Sequence, residues 1–371
     1  MEAQLAQIVC ERFPAIEKVR FVNSGTEANM IAIGTALVHT GKKKILVFKK
    51  GYHGSTISGR SADGKPSLNL PHDFVTAPYN DVPGTRAIID ALPTESLAAI
   101  LVEPALGSGG CFAGRADFLQ LLRAEATRHN ALLIFDEVMT SRLSYHGYGN
   151  KIGIRPDLMT IGKWVGGGMS FGAFGGREDI MNIFDPRLGK LEHAGTFNNN
   201  VMSMSAGIAG CTLLDEARID ELNSRGERMW KAIEAQLAAF GIKGVIPDAP
   251  VPDDSYAKSS LVQNGNGHAN GQQQQSRDGD SGTLSASSST AHSPKPPNMF
   301  ITGVGSIMTI HFNGPDKAML QGLFYHHMLK KGIHIAQRGF IALNIEINNG
   351  HIDEFVEALN EFCEAWVELL R

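Results

Sequence analysis

Lys163 stands where a short apolar run, Leu158-Met159-Thr160-Ile161-Gly162, gives way to a glycine-dense stretch from Gly166 to Gly176. Upstream, a second apolar run, Leu132-Leu133-Ile134-Phe135, ends in Asp136-Glu137. An acid placed directly after large apolar residues is desolvated, and it needs a cationic partner to stay ionised. A lysine on a glycine-rich turn with such an acid at the end of a neighbouring buried strand suits pyridoxal phosphate. The amine would form a Schiff base with the cofactor's aldehyde, and the carboxylate would pair with its protonated pyridine nitrogen. A magnesium-binding acid of a nucleotide hydrolase is the rival, and it fails for want of a phosphate loop with its own lysine.

Other stretches carry weaker chemistry. Phe21-Val22-Asn23-Ser24-Gly25-Thr26-Glu27 passes from a strand into a helix, and Ser24 and Glu27 have capping-box spacing. The free backbone N–H groups of that helix start, with the Ser24 and Thr26 hydroxyls, would make a phosphate cup; a well-capped helix is the plainer alternative. Tyr52-His53-Gly54 follows the next strand, where the Tyr52 ring could lie on a flat pyridine face. No second His or Cys stands near His53 at ligand spacing, so no metal is expected. Glu103 closes another apolar strand, at the edge where open α/β sheets gather ligand groups, although a solvent-facing acid would read the same way. Thr196, among turn-forming residues before a helix, is a second candidate phosphate donor. Arg338 precedes a strand near the C-terminus and suits bidentate carboxylate recognition, or is a surface arginine.

These residues need elements to hold them. Val19–Val22, Lys44–Phe48, Ala98–Val102, Leu132–Phe135 and Leu158–Ile161 read as buried strands, and Glu27–His39, Ala116–Arg128 and Met202–Leu214 as helices. The alternation predicts an α/β fold, a mostly parallel sheet with helices on both faces, over residues 1–216. A second unit of α+β character is expected over 217–371, with strands at Gly305–Phe312 and Phe340–Ile345 and helices at 217–240, Lys317–Lys331 and Ile352–Leu370. Residues 250–298 interrupt that unit with Gln272-Gln273-Gln274-Gln275, a serine run and Pro294-Lys295-Pro296-Pro297. With almost no large apolar residues, this stretch reads as a disordered insertion.

Composition narrows the classes. A chain of 371 residues can bury a full core, and 41 glycines imply many tight turns. A net charge of −4 gives no reason to expect nucleic acid or an anionic membrane as a partner, and no apolar run is long enough to span a bilayer. The four cysteines lie far apart and read as reduced thiols of a cytoplasmic protein.

Taken together, Asn23-Ser24-Gly25-Thr26-Glu27-Ala28, Tyr52-His53-Gly54, Glu103-Pro104, Phe135-Asp136-Glu137-Val138, Gly162-Lys163 with Gly166-Gly167-Gly168, and Gly195-Thr196-Phe197 resemble, in order, the motifs of the class III, fold-type I, pyridoxal-phosphate-dependent aminotransferases. The resemblance covers nearly all of the chain outside 250–298. Two branches are most similar, the β-amino-acid (β-phenylalanine-type) aminotransferases and the glutamate-1-semialdehyde aminomutases. Ser170, where aminomutases usually carry proline, favours the first.

The resemblance implies Lys163 and Asp136 as catalytic residues and Ser24, Gly25, Thr26, Tyr52, Glu103, Val138 and Thr196 as further cofactor contacts. It implies that Thr196 reaches the phosphate of a neighbouring subunit in a homodimer with shared active sites. It also implies Arg338 as the group that handles the carboxylate of a keto-acid acceptor such as 2-oxoglutarate. Relatives carry a long segment upstream of Met1, so part of the small domain, of the dimer contacts and of the substrate site is expected to lie outside this chain. Transamination between an amino acid and a keto acid, an aminomutase reaction, and a non-catalytic remnant are the readings open at this stage.

Overall fold

Short runs of Val, Ile, Leu and Phe make the centre of the main sheet, because a strand covered on both faces needs apolar residues at every position. In the computed structural model, which describes residues 1–57, 68–188, 190–242 and 297–371, that sheet has seven strands. They are β1 (Lys18–Val22), β2 (Lys44–Phe48), β3 (Asp73–Ala77), β4 (Leu97–Val102), β5 (Leu132–Asp136), β6 (Leu158–Gly162) and β7 (Gly172–Gly176). Every residue of β4, β5 and β6 is buried. The order is β1-β7-β6-β5-β4-β2-β3. Only β7 runs against its neighbours, so β1 to β6 share one direction and end on the same edge.

Helices cover both faces. α1 (Glu2–Arg12) and α2 (Gly25–Thr40) are followed by α3 (Val82–Asp90), α4 (Ala116–Arg128), two single turns, α5 (Tyr148–Lys151) and α6 (Glu178–Met181), and then α7 (Val201–Leu213). One core gathers Phe48, Tyr79, Phe118 and Leu133 beneath α3 and α4. The opposite face packs on the small residues Ala28, Ala32 and Ala36 of α2. Leu5 and Val9 of α1 pack with Met204 of α7 against β1, β6 and β7.

The second unit has its own core, formed by α8 (Glu216–Ala239), the antiparallel strands β8 (Met299–Val304), β9 (Ile307–Phe312) and β10 (Phe340–Ala342), and the helices α9 (Lys317–Lys330) and α10 (Asn349–Leu370). Ile233, Met308, Phe324 and Phe362 meet there. Several hydrogen bonds tie it to the larger unit, two groups of them at the Gly110 carbonyl and at Arg142. The Gly110 carbonyl accepts hydrogen bonds from Thr302 Oγ1 and His311 Nε2, and Arg142 Nε donates to Ser306 Oγ at 3.2 Å.

Several sequence expectations are corrected here. The strand expected over Gly305–Phe312 is the second half of a hairpin, whose turn is Gly305 at φ 53°. The strand expected over Phe340–Ile345 pairs only through Ala342. β7 was read as part of a glycine turn, since three glycines hide any alternation; pairing with β1 on one edge and β6 on the other makes it a strand. Of the insertion placed at 250–298, residues 250–296 lie outside the described residues. Pro297 and Asn298 already belong to the fold: Pro297 is buried, and Asn298 Nδ2 donates to the Leu369 carbonyl at 3.1 Å.

Candidate active site

Because β1, β2, β4, β5 and β6 run the same way, the segments bearing Ser24, Tyr52, Glu103, Asp136 and Lys163 all leave the sheet at its carboxyl edge. That edge is where open α/β sheets collect ligands. In register, Phe135 lies beside Val102 and Asp136 beside Thr160, so Glu103, Asp136 and Lys163 follow adjacent strands.

Lys163 opens a 3-10 turn, Lys163–Gly166, at φ 53°, a left-handed conformation that a side chain other than glycine adopts only under constraint. Its side chain is exposed rather than packed into the sheet. The turn is pinned from behind by Trp164, whose Nε1 donates to Ser141 Oγ at 3.0 Å.

Asp136 is buried and held from three sides. Val138 N donates to Oδ1 at 3.1 Å, while Asn29 Nδ2 and His53 Nδ1 both reach Oδ2 at 2.8 Å. Asn29 Nδ2 also donates to the His53 carbonyl at 3.1 Å, and its Oδ1 accepts from Thr160 Oγ1 at 2.8 Å. One buried amide thus joins α2, the turn after β2, and the ends of β5 and β6. Sequence reasoning missed Asn29 altogether and weighed His53 only as a metal ligand, a role it set aside. The one available signal was a polar Asn in an otherwise apolar helix face.

Glu103 is equally buried. Its Oε1 accepts from Tyr52 N and its Oε2 from Gly107 N, both at 2.9 Å, so the acid fixes the tyrosine's turn to the end of β4. Burial raises the Glu103 carboxyl above the usual range, and the Asp136 charge pushes the same way. The Tyr52 ring is partly exposed, its hydroxyl 3.4 Å from Ser55 Oγ. Glu137, beside Asp136, is structural: it accepts from Tyr148 N at 2.7 Å and Gly149 N at 2.8 Å, and burial raises it to about 7.

The start of α2 has the free-amide geometry expected of an anion cup. Ser24 caps the helix by accepting from Glu27 N at 3.1 Å, and Glu27 Oε2 reaches back to Asn23 N at 2.8 Å. Among the described residues the amides of Gly25 and Thr26 remain as orphan donors of the first turn. A side chain on Gly25 would lie 2.8 Å from a Val138 methyl, so Val138 presses on the cup from the β5 end. Gly54, at φ 114°, lets the turn after β2 close against Thr26: a Cβ there would meet the threonine side chain at 2.4 Å.

Two expected site residues stand outside this cluster. Thr196 is exposed, and among the described residues no hydrogen bond ties it to the strand ends; its loop is anchored by Asn23 Nδ2 donating to Asn198 Oδ1 at 3.0 Å. Arg338 is exposed on the second unit, with its guanidinium 5.1 Å from the Phe340 ring centroid. Its charge is felt at Cys111, in the loop after Glu103. There burial pushes the Cys111 thiol up to about 12; the Arg338 charge opposes the shift, and the Glu103 charge adds to it.

These groups fit pyridoxal phosphate. A cup of free amides, a hydrogen-bonded buried acid, an aromatic ring held by its backbone and an exposed lysine on a constrained turn occupy successive strand ends. Among the described residues no group of three or more His, Cys, Asp or Glu could hold a metal ion, and no helix is long and apolar enough to cross a membrane.

Comparison with known proteins agrees with the geometry. A family model described as aminotransferase class III matches residues 1–246. The beta-phenylalanine transaminase of Variovorax paradoxus is 42% identical over 98% of this chain and 73% of its own length. A crystal structure of a beta-phenylalanine aminotransferase from that organism superimposes with a TM-score of 0.80 at 40% identity, covering all of this chain and 75% of the other. A glutamate-1-semialdehyde 2,1-aminomutase of Methanopyrus kandleri is 40% identical over 66% of this chain and 60% of its own. A transaminase structure with the cofactor bound aligns at 25% identity, with a TM-score of 0.77, over all of this chain and 78% of that one. Sequence, sheet order and strand-end chemistry converge, and the chain belongs to the class III aminotransferases, fold-type I enzymes that work with pyridoxal phosphate.

Proposed function

We propose that this chain moves an amino group from an amino acid, of β-amino-acid type, to a keto acid such as 2-oxoglutarate. The observation that carries the reading is the pairing of Lys163, exposed on a left-handed turn after β6, with Asp136, held by three donors at the end of β5. When bound, pyridoxal phosphate supplies an electron sink for the carbon that loses its proton. The chain's own residues do the rest. The Lys163 Nζ would hold the cofactor and, once displaced by the substrate amine, would take the proton from the amine-bearing carbon of the donor in one half-reaction and give a proton to the former carbonyl carbon of the acceptor in the other. Asp136 keeps a proton on the ring nitrogen, and Asn29 and His53 keep Asp136 in place. The Gly25 and Thr26 amides, with the Ser24 and Thr26 hydroxyls, would take the phosphate; Val138 and Tyr52 would contact the ring, and Glu103 sets the Tyr52 turn. Arg338 takes the second carboxylate of the acceptor.

The same reading includes a homodimer. Thr196 and its apolar neighbours Phe197, Val201 and Met202 are all exposed, a surface suited to a second copy that would receive Thr196 at its own phosphate cup. Similarity to the aminomutases supports a second reading, transfer of the amine within one substrate.

Two experiments test these assignments. Protein loaded with cofactor is reduced with borohydride, digested and mass-mapped; the cofactor mass belongs on Lys163, and a folded protein labelled elsewhere or nowhere refutes the site. Loaded enzyme is then given a β-amino acid with and without 2-oxoglutarate. Turnover that requires the acceptor supports transamination, product without it the aminomutase, and no turnover in either a chain that binds cofactor without catalysis.

A further inference from the structure

Arg12, in the last turn of α1, is buried, with a relative exposure of 2%. Among the described residues no carboxylate is hydrogen-bonded to it. Its Nε donates to the Tyr145 carbonyl at 3.2 Å and its Nη1 to the Cys211 carbonyl at 3.1 Å, while Nη2 is buried without a hydrogen-bond partner. What surrounds it is aromatic: the guanidinium lies 4.4 Å from the Tyr145 ring centroid and 4.5 Å from that of Trp164. A buried cation in such a sandwich is held by the ring faces, an attraction that grows as water is excluded. Trp164 is the residue directly after Lys163, and its indole N–H is fixed to Ser141, in the 3-10 turn Thr140–Arg142 that follows Asp136 and Val138. The constrained Lys163 turn therefore rests on an indole clamped at its edge by Ser141 and on its face by Arg12.

We propose that Arg12 is a positioning residue for the cofactor lysine: through the Trp164 ring, it holds the Lys163 turn in its left-handed conformation. This rests on the reading of Lys163 as the cofactor lysine. α1 thus contributes to the active site from beneath, without touching substrate. The packing of α7 behind the same turn fits this role, since Gly207 approaches the Val165 carbonyl and Cys211 carries one of the two carbonyls that hold Arg12.

The test compares Arg12→Met, Arg12→Lys and a control, Leu122→Ala, which opens a cavity in a different core. Cofactor affinity is read by titration of the apoprotein, and the cofactor's setting by its visible circular dichroism. The emission of Trp164 is read in the apoprotein with Trp230 and Trp366 replaced by phenylalanine. Arg12→Met is expected to bind cofactor about tenfold more weakly, the equivalent of most of one desolvated cation–π contact. Its visible dichroism falls and its Trp164 emission shifts, whereas Leu122→Ala lowers the melting temperature and leaves all three readings in place. Arg12→Lys keeps the charge without the flat face and gives a partial loss, so it decides the matter if Arg12→Met does not fold. Wild-type affinity, dichroism and emission in the Arg12 variants that fold would overturn the proposal. Wild-type protein that takes no cofactor on Lys163 would instead overturn the reading beneath it.

Discussion

Replacing Asn29 with alanine removes a side chain that ties α2 to three other parts of the site. Two of its hydrogen bonds are between neutral groups, to the His53 carbonyl at 3.1 Å and from Thr160 Oγ1 at 2.8 Å. The third goes to the Asp136 carboxylate at 2.8 Å. With about 1 kcal/mol for each neutral bond and about 2 kcal/mol for the bond to a charged group, the loss is about 4 kcal/mol. Water cannot easily replace them, because Asn29 is only 1% exposed and Asp136 3%. Urea unfolding of the apoprotein measures this directly, without contribution from bound cofactor. Asn29→Asp sharpens the test. It sets two carboxylates against each other in a buried site, where they cannot both ionise. The acid whose native pKa is raised then makes that variant lose stability as pH rises above the ordinary carboxylate range. A loss below about 1 kcal/mol in Asn29→Ala would refute the view that this amide organises the strand ends.

Three further outcomes follow from the site. Glu137 is raised by burial to about 7 from 4.5, so the native state binds the extra proton between those values, and stability falls as pH rises across that window. Glu137→Gln should flatten this segment of the stability–pH curve by on the order of 3 kcal/mol, read by denaturant melts at stepped pH; an unchanged slope would count against it. Gly54→Ala forces a Cβ against Thr26 in a left-handed turn and should weaken binding of cofactor phosphate, with apoprotein stability reduced by about 1–3 kcal/mol; equal affinity in wild type and variant would contradict the cup. Arg338→Ala should weaken the half-reaction with 2-oxoglutarate, by about 2–5 kcal/mol if the bound acceptor desolvates the pair, and spare the amine-donor half-reaction; equal loss in both single-turnover traces would make Arg338 structural.

Much of this site was legible from local chemistry. A buried strand announces itself by an unbroken apolar run, and the first polar residue after it must stand at the strand's end. The strand-end places of Asp136 after Leu132–Phe135, Glu103 after the run ending at Val102, and Lys163 after Leu158–Gly162 are legible that way, and the Ser24 cap by the spacing of its helix. The glycine content that located the Lys163 turn also concealed β7, because a strand with three glycines shows no alternation.

The partners of those residues were decided only by the folded chain. Asn29 and His53 lie 107 and 83 residues from Asp136, and Arg12 meets Trp164 only because α1 packs beside α7 under β6. Spacing along a chain reports the local backbone, period by period. Which polar groups satisfy one another in the interior depends instead on strand order and helix packing. A buried acid in the sequence therefore says that partners must exist, and only the tertiary structure says which residues they are.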